Sequence, residues 1–291
     1  MLRLVIPKGS LERSTLTLFD DADLPVRRSS DVEYKATIDD PRIADVRVLR
    51  PQEIGRYVAD GLFDIGITGR DWVQETSSDV VELTELRYAK ASDRKVRVVL
   101  AVAAGAPYTS AADLPSGVRV QTEYPELTRR FLAERGIDAA ISLSYGATEA
   151  KVPEIADAVV DMTETGRALR AAGLRIIEEI LVSDTVLIAN PTAYADADKR
   201  KAMEQLMVLL LGALEARGRV MVKLNVDEPN LQAVITLLPA LKAPTVSKLF
   251  GQEAYAVETV VAKSMINTLI PALVDAGATG ILELPISKIV A

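Results

Sequence analysis

The residues best suited to chemistry stand in one run, Ala156-Asp157-Ala158-Val159-Val160-Asp161-Met162-Thr163-Glu164-Thr165-Gly166-Arg167-Ala168-Leu169. Its first half is apolar with strand character. Its second half turns through Thr-Gly into a helical pattern, 167–172, that Gly173 closes. Thr165 is a good helix N-cap, and Gly166 lets a ligand come close to the backbone. The N–H groups and positive dipole end of a helix start favour an anion. Asp161, at the strand's exit, adds a carboxylate beside that pocket. The combination suits a ligand with both a phosphate and hydroxyls, such as a ribose phosphate. The same run also reads as an ordinary capped strand–turn–helix, and by itself it does not separate the two.

Other junctions repeat the pattern. Pro7-Lys8-Gly9 follows an apolar strand over 2–6, Arg50-Pro51 follows one over 46–49, and Thr68-Gly69-Arg70-Asp71 follows one over 63–68. Ser10 is placed to cap a helix to about Ala22. Pro51 suits a first helical turn. Ligands of α/β sheets bind at the carboxyl ends of strands, so the two strand–glycine–helix junctions, at 68–71 and in the opening run, are placed with Lys8 to line one cleft. A lysine in a surface turn is the plainer reading of Lys8.

The composition limits the chemistry available. The 291 residues include no cysteine and no histidine. Disulfides, thiolate nucleophiles and cysteine-type zinc sites are excluded, and the usual general base is missing. Proton transfer falls to Asp, Glu, Lys or Tyr, and a bound metal would be a hard cation such as Mg²⁺ on oxygen ligands. The net charge of −7 without a basic tract argues against nucleic acid. Residues 1–10 have too short an apolar run for a signal peptide. No stretch reaches the ~18 apolar residues of a membrane span. A cytoplasmic protein is expected.

The elements that must position these residues alternate strand and helix, an α/β pattern. Strands are expected over 80–86, 95–103, 118–121, 141–143, 174–181 and 185–189, and helices over 126–135 and 196–217. The last of these is apolar on a broad face that includes Leu206, Leu209, Leu210, Leu211 and Leu214, so it is expected to be buried between domains or subunits. After Gly218 the pattern changes. Strands over 219–226, 246–249, 254–262 and 280–284 and helices over 229–238 and 264–276 give βαββαβ, a ferredoxin-like order. Pro271 falls inside the last helix and should kink it.

Together these segments resemble the long form of the ATP phosphoribosyltransferases, which take the first step of histidine biosynthesis. The resemblance runs through Leu-Val-Ile-Pro-Lys-Gly-Ser-Leu at 4–11, Leu-Arg-Pro at 49–51, Asp-Ile-Gly-Ile-Thr-Gly-Arg-Asp at 64–71 and Thr-Glu-Tyr-Pro-Glu-Leu-Thr-Arg at 122–129. It continues through the run at 156–169, Leu-Leu-Pro-Ala-Leu-Lys-Ala-Pro-Thr-Val-Ser at 237–247 and Gly-Ala-Thr-Gly-Ile-Leu-Glu-Leu-Pro-Ile at 277–286.

The resemblance implies an α/β fold with a two-lobed, periplasmic-binding-protein-like catalytic core and a C-terminal ferredoxin-like (ACT-like) regulatory domain. Lobe I would be 1–93 with 181–212 returning to it, lobe II 94–180, and the regulatory domain 213–291. The reaction implied transfers the 5-phosphoribosyl group of phosphoribosyl pyrophosphate to N1 of the ATP adenine and releases pyrophosphate. Mg²⁺ would ride on the pyrophosphate. By matching position, Glu164, Thr165, Gly166, Arg167, Ala168 and Leu169 would cradle the 5-phosphate, and Asp161 would hold the ribose hydroxyls. Lys8 and Arg50 would face the pyrophosphate. Gly9, Gly69, Asp71, Glu123 and Tyr124 would complete the substrate site, with Gly69, Asp71 and Tyr124 bordering the nucleotide. Asp157 reads as structural. Ala168 is a departure, because relatives often carry a second threonine there.

Histidine would inhibit through Asn225, Leu241, Ala243 and Thr245, with Ala243 replacing a serine found in some relatives. A homo-oligomer, a hexamer by the resemblance, is expected, without nucleic-acid or membrane partners. The alternative is a non-catalytic cytosolic small-ligand sensor on the same core. Prephenate dehydratase lacks a reason for the Thr165-Gly166 loop, and porphobilinogen deaminase requires a cysteine.

Overall fold

A computed structural model describes residues 1–30, 32–88, 96–239 and 243–290. In chain order the first stretch holds β1 (Leu2–Pro7), α1 (Glu12–Asp21), β2 (Lys35–Ala36), β3 (Ile43–Leu49), α2 (Pro51–Ala59), β4 (Ile65–Gly69), α3 (Arg70–Glu75) and β5 (Val81–Glu85). Then come β6 (Val96–Ala103), β7 (Val118–Thr122), α4 (Pro125–Ala133), β8 (Ala139–Leu143), β9 (Ala158–Thr163), α5 (Arg167–Ala171) and β10 (Leu174–Ser183). The chain continues with β11 (Thr185–Ala189), α6 (Pro191–Ala195), α7 (Ala197–Ala216), β12 (Arg219–Asp227), α8 (Leu231–Leu237), β13 (Thr245–Lys248), β14 (Ala254–Ala262), α9 (Ile266–Asp275) and β15 (Thr279–Pro285).

Among the described residues these strands build three sheets. The first has the order β2-β3-β1-β4-β11-β5, with β1 parallel to β3 and β4 and with β11 antiparallel to β4. Its central strands are apolar on both faces: every residue of β4 and β11 is buried, as expected of strands covered on two sides. The second sheet has the order β10-β6-β9-β7-β8, in which β7 is parallel to β8 and β9. Val98, Leu100, Val120, Val160 and Phe131 pack on one of its faces, and Val99, Val159 and Leu169 on the other. The chain returns from the second sheet to the first between β10 and β11 through a single residue, Asp184. The expected α/β fold is therefore present, with a two-lobed core. Two elements lie outside the sequence expectations, the short strand β2 and the five-residue α6, which Asn190 caps by accepting from Ala193 N–H.

The third sheet, β13-β14-β12-β15, is antiparallel throughout and has the ferredoxin-like order. Val220, Val222, Leu224 and Val257 face α8 and α9 in its own core. Pro271 lies inside α9, as expected. The chain divides into two compact units, residues 1–20 with 24–205 and residues 21–23 with 206–291. Within the second unit, Ile289 N–H donates to the Gly212 carbonyl of α7, and a Cβ at Gly212 would lie 3.2 Å from Val290. Along α7 the buried stripe is Met203, Leu206, Leu210, Ala213 and Ala216. Leu209, Leu211 and Leu214 are half-buried. No helix among the described residues is long and apolar enough to cross a membrane.

Candidate active site

The parallel pairing of β1 with β3 sets Pro7 opposite Leu49, so Lys8 and Arg50 leave adjacent strand ends. Lys8 N–H donates to the Leu49 carbonyl at 2.7 Å, which joins the two turns. Gly9 has φ +87°, a conformation that favours glycine, and its N–H donates to Glu12 Oε2 at 3.1 Å. Helix α1 therefore starts at Glu12, whose carboxylate holds the turn that Ser10 was expected to cap. Arg50 is exposed and is the N-cap residue of α2 without a side-chain cap bond, and Pro51 occupies the first helical turn.

Strand β4 delivers Gly69 and α3. The Asp71 carboxylate folds back on Gly69 so closely that a Cβ there would lie 2.1 Å from Asp71 Oδ1. Asp71 Oδ1 accepts from Ser183 Oγ at 2.6 Å, and Oδ2 accepts from Tyr124 O–H at 2.8 Å. Ser183 Oγ in turn accepts from Asp71 N–H at 3.0 Å. Three distant pieces of chain thus close on one another: α3 after the first sheet, the end of β10, and the loop after β7. The Trp72 and Tyr124 rings lie 4.7 Å apart. Burial pushes the carboxyl of Asp71 up, against its own hydrogen bonds. Burial, then the neighbouring Asp71, push the Tyr124 phenol up.

Asp71 and Tyr124, expected to border the nucleotide, are largely withdrawn from solvent. Each is only 2% exposed, and their polar atoms are bonded to each other. Glu123, beside them, is half-buried.

Next to this group, Glu75 accepts from the N–H groups of Glu126 at 3.0 Å and Leu127 at 2.8 Å, in the first turn of α4. A carboxylate at a helix start is favoured by the free N–H groups and the dipole. From α4, Arg130 donates to Ser77 Oγ at 2.8 Å and to the Gln74 carbonyl near the C-terminal end of α3. Each helix end is met by the charge that suits it.

The run at 156–169 folds as β9, a loop and α5, with one correction. Thr165 is not the N-cap. Gly166 is, at φ +71°, and α5 has only five residues. Thr163 Oγ1 accepts from Gly166 N–H at 2.8 Å, and Thr165 Oγ1 accepts from Arg167 N–H at 3.3 Å. A side chain at Gly166 would meet Arg170 at 2.9 Å. Leu169 is buried in the second sheet's core and anchors the loop, while Thr165, Arg167 and Ala168 are exposed and Glu164 is half-buried.

Asp161 stands apart electrostatically. Burial pushes its carboxyl up to about 6, with Glu149 and Glu123 adding to the rise and the Met162 N–H opposing it. That N–H, at 2.7 Å, is its bonded neighbour. Asp157 is the opposite case. It takes two bonds from the Arg119 guanidinium at 3.1 and 2.7 Å and one from Arg119 N–H, which hold its carboxyl low and tie β9 to β7. Its expected structural role agrees with those bonds. Among the described residues no group of three or more acids stands together as a metal cage.

In the C-terminal module, Asn225 and Thr245 share the sheet face away from α8 and α9, on strands flanking β14. The Lys223–Glu258 ion pair, 2.7 Å, lies in the same row as Thr245. Ala243 is exposed just before β13. Leu241 lies outside the described residues.

Sequence reasoning had no sign of Ser183 or Glu75, whose partners are 112 and 52 residues away.

Comparison with known proteins gives consistent matches. A family model described as ATP phosphoribosyltransferase matches residues 50–212, and one described as HisG, C-terminal domain, matches 216–288. The ATP phosphoribosyltransferase of Solibacter usitatus is 46% identical over 290 residues, covering 100% of this chain and 99% of that protein. That of Desulforudis audaxviator is 46% identical over 289 residues, covering 99% of each. Among solved structures, the ATP phosphoribosyl transferase (HisG:HisZ) complex from Thermotoga maritima contains a similar chain. It is 29% identical with a TM-score of 0.61, and the match covers 72% of this chain and 97% of that one.

Proposed function

The chain belongs to the ATP phosphoribosyltransferase family in its long form, and from that premise we propose how its residues divide the work. The reaction joins adenine N1 of ATP to C1 of phosphoribosyl pyrophosphate. The N1–C1 bond forms as the C1–oxygen bond breaks, and the electron pair leaves with pyrophosphate. Catalysis of this kind requires placement of N1 against C1 and neutralisation of the departing charge. It needs neither of the residue types that the chain lacks.

Asp161 accepts hydrogen bonds from the ribose hydroxyls and sets negative charge near the developing cation at C1. The observation that carries this reading is a desolvated carboxylate in β9, two residues before the strand ends, without a cationic partner among the described residues. Such a group is raised in energy until a ligand meets it. Glu164 to Leu169 hold the 5-phosphate, with Gly166 shaping the turn and Arg167 supplying charge. Lys8, Gly9 and Arg50 face the pyrophosphate. Gly69, Asp71, Glu123 and Tyr124 form the nucleotide side, with Asp71 and Tyr124 as its buried wall. The division into lobes at 1–93 with 181–212 and at 94–180, with a regulatory domain at 213–291, goes with this assignment.

Mg²⁺ is proposed to arrive on the substrate. It typically keeps several waters and is bound largely through substrate phosphates, so it does not require a dedicated cage of protein side chains. When bound it would neutralise charge on the pyrophosphate. A cytoplasmic homo-oligomer, as a hexamer, is part of the same reading.

The C-terminal module is proposed to bind histidine as a feedback inhibitor near Asn225, Ala243 and Thr245, with Leu241 assigned by resemblance alone. The test follows pyrophosphate release from ATP, phosphoribosyl pyrophosphate and Mg²⁺ while histidine is titrated. The full chain should be inhibited and Thr245→Arg should resist. An unchanged rate at millimolar histidine would contradict the regulatory reading.

A further inference from the structure

Lys8 leaves β1 with an aromatic ring as its neighbour, not a carboxylate. Its Nζ lies 4.2 Å from the centroid of the Tyr34 ring. No carboxylate of the described residues pairs with it. Both backbones are fixed. Lys8 N–H donates to the Leu49 carbonyl at 2.7 Å, and Val48 N–H donates to the Tyr34 carbonyl at 2.9 Å. The acid closest to this turn in sequence is already engaged. Glu12 accepts from Gly9 N–H, and its other oxygen pairs with Arg28, 8% exposed, at 2.7 Å.

A lysine can be held in position by a carboxylate or by the face of a ring. A carboxylate cancels the charge and competes with any anionic ligand. A ring attracts the ammonium through its quadrupole and leaves both the net charge and the N–H donors available. At a site that must receive an anion, the ring is the better holder.

We propose that Tyr34 is a positioning residue of this enzyme: its ring holds the un-neutralised Lys8 ammonium at the strand end where the pyrophosphate departs. The inference rests on the reading that Lys8 faces pyrophosphate. Tyr34 itself is 55% exposed and is not one of the buried core residues, so its removal is compatible with folding.

The experiment measures the inhibition constant of pyrophosphate and the KM for phosphoribosyl pyrophosphate in the full chain, for Tyr34→Phe, Tyr34→Leu and Lys8→Gln, with thermal melting alongside. Phenylalanine keeps the ring face and should hold both constants near the parent values. Leucine should raise both by about two- to fivefold, the range of a solvent-exposed cation–π contact, with KM moving more than kcat. Parent-like constants in Tyr34→Leu, beside a raised constant in Lys8→Gln, would overturn the proposal alone. Equal losses in Tyr34→Phe and Tyr34→Leu would also overturn it, because the ring face would not be the cause. Parent-like constants in Lys8→Gln would overturn the pyrophosphate assignment and the proposal together.

Discussion

Two acidic groups in the catalytic core are withdrawn from water, wholly or in part, for opposite reasons. At the junction of the two core sheets, Asp71 and Glu75 have hydrogen-bond donors on both carboxylate oxygens. Within β9, two residues before the strand ends at Thr163 and not at its exit as the sequence suggested, Asp161 has one neighbouring N–H and two acids in its field. The first arrangement fixes how the sheets meet. The second leaves a carboxylate desolvated, which is what the proposed contact to the ribose hydroxyls requires. A buried polar group without partners is costly, and such groups persist where function demands them. The difference separates scaffold from site where exposure alone does not, since Asp71 is more buried than Asp161.

Replacing the Asp161 carboxylate should show that difference most strongly. Asp161→Asn removes a charge-assisted contact to substrate and should lower kcat/KM by about 10- to 100-fold, from ~1.5–3 kcal/mol. Stability should move the other way. The folded state holds the Asp161 proton more tightly than the unfolded chain, so stability falls as pH rises from the unfolded value near 4 towards about 6. Above that the deficit is complete, and the asparagine variant escapes it. For a half-buried group the gain at pH 7 is on the order of 1 kcal/mol, to be read from urea melts. An inactive variant that is also less stable would place Asp161 with the scaffold.

The junction should answer in reverse. Tyr124→Phe leaves Asp71 Oδ2 without its donor and should cost about 1–3 kcal/mol of stability, with a smaller loss of rate than Asp161→Asn. Urea melts and steady-state rates on the two variants give the ranking. A Tyr124→Phe protein with full stability and a larger rate loss would make the phenol a direct substrate contact and erase the contrast.

The sequence carried the strand ends of the proposed site better than its wiring. Apolar runs ending in Pro-Lys-Gly, Leu-Arg-Pro, Thr-Gly-Arg-Asp and Thr-Glu-Thr-Gly marked strand ends, and the strands do end there. The C-terminal βαββαβ order was equally legible, because each strand is bounded by Gly or Pro and each helix is short. The cap of α5 differs from the expected Thr165. Threonine before glycine has the propensity of an N-cap, but Gly166 adopts φ +71° and takes that position, while the threonine hydroxyl closes a local turn on Arg167. Helix α6 has a signal in the sequence, Asn190 followed by Pro191. The bonds from Asp71 to Ser183 and from Glu75 to α4 had none. Their partners are set by how two sheets meet, which local propensity does not encode.

A smaller effect tests the exposed half of the contrast. Ala168→Thr adds a hydroxyl to the loop at an exposed position and should lower the KM for phosphoribosyl pyrophosphate by up to about fivefold, from a contact of ~1 kcal/mol. It should leave the melting temperature unchanged. A raised KM would mean that the loop binds its phosphate through backbone groups that the added side chain obstructs.

The most direct test of the central claim is the binding of phosphoribosyl pyrophosphate with Mg²⁺ and without ATP, followed by calorimetry from pH 5 to 8 in the parent protein and in Asp161→Asn. The substrate's own phosphates titrate in both, so the difference between the two profiles belongs to Asp161. The account predicts that this difference grows as pH rises through about 6, the value to which burial pushes the carboxyl, and that the parent binds more tightly above it. Equal affinities and parallel profiles in the two proteins would contradict it.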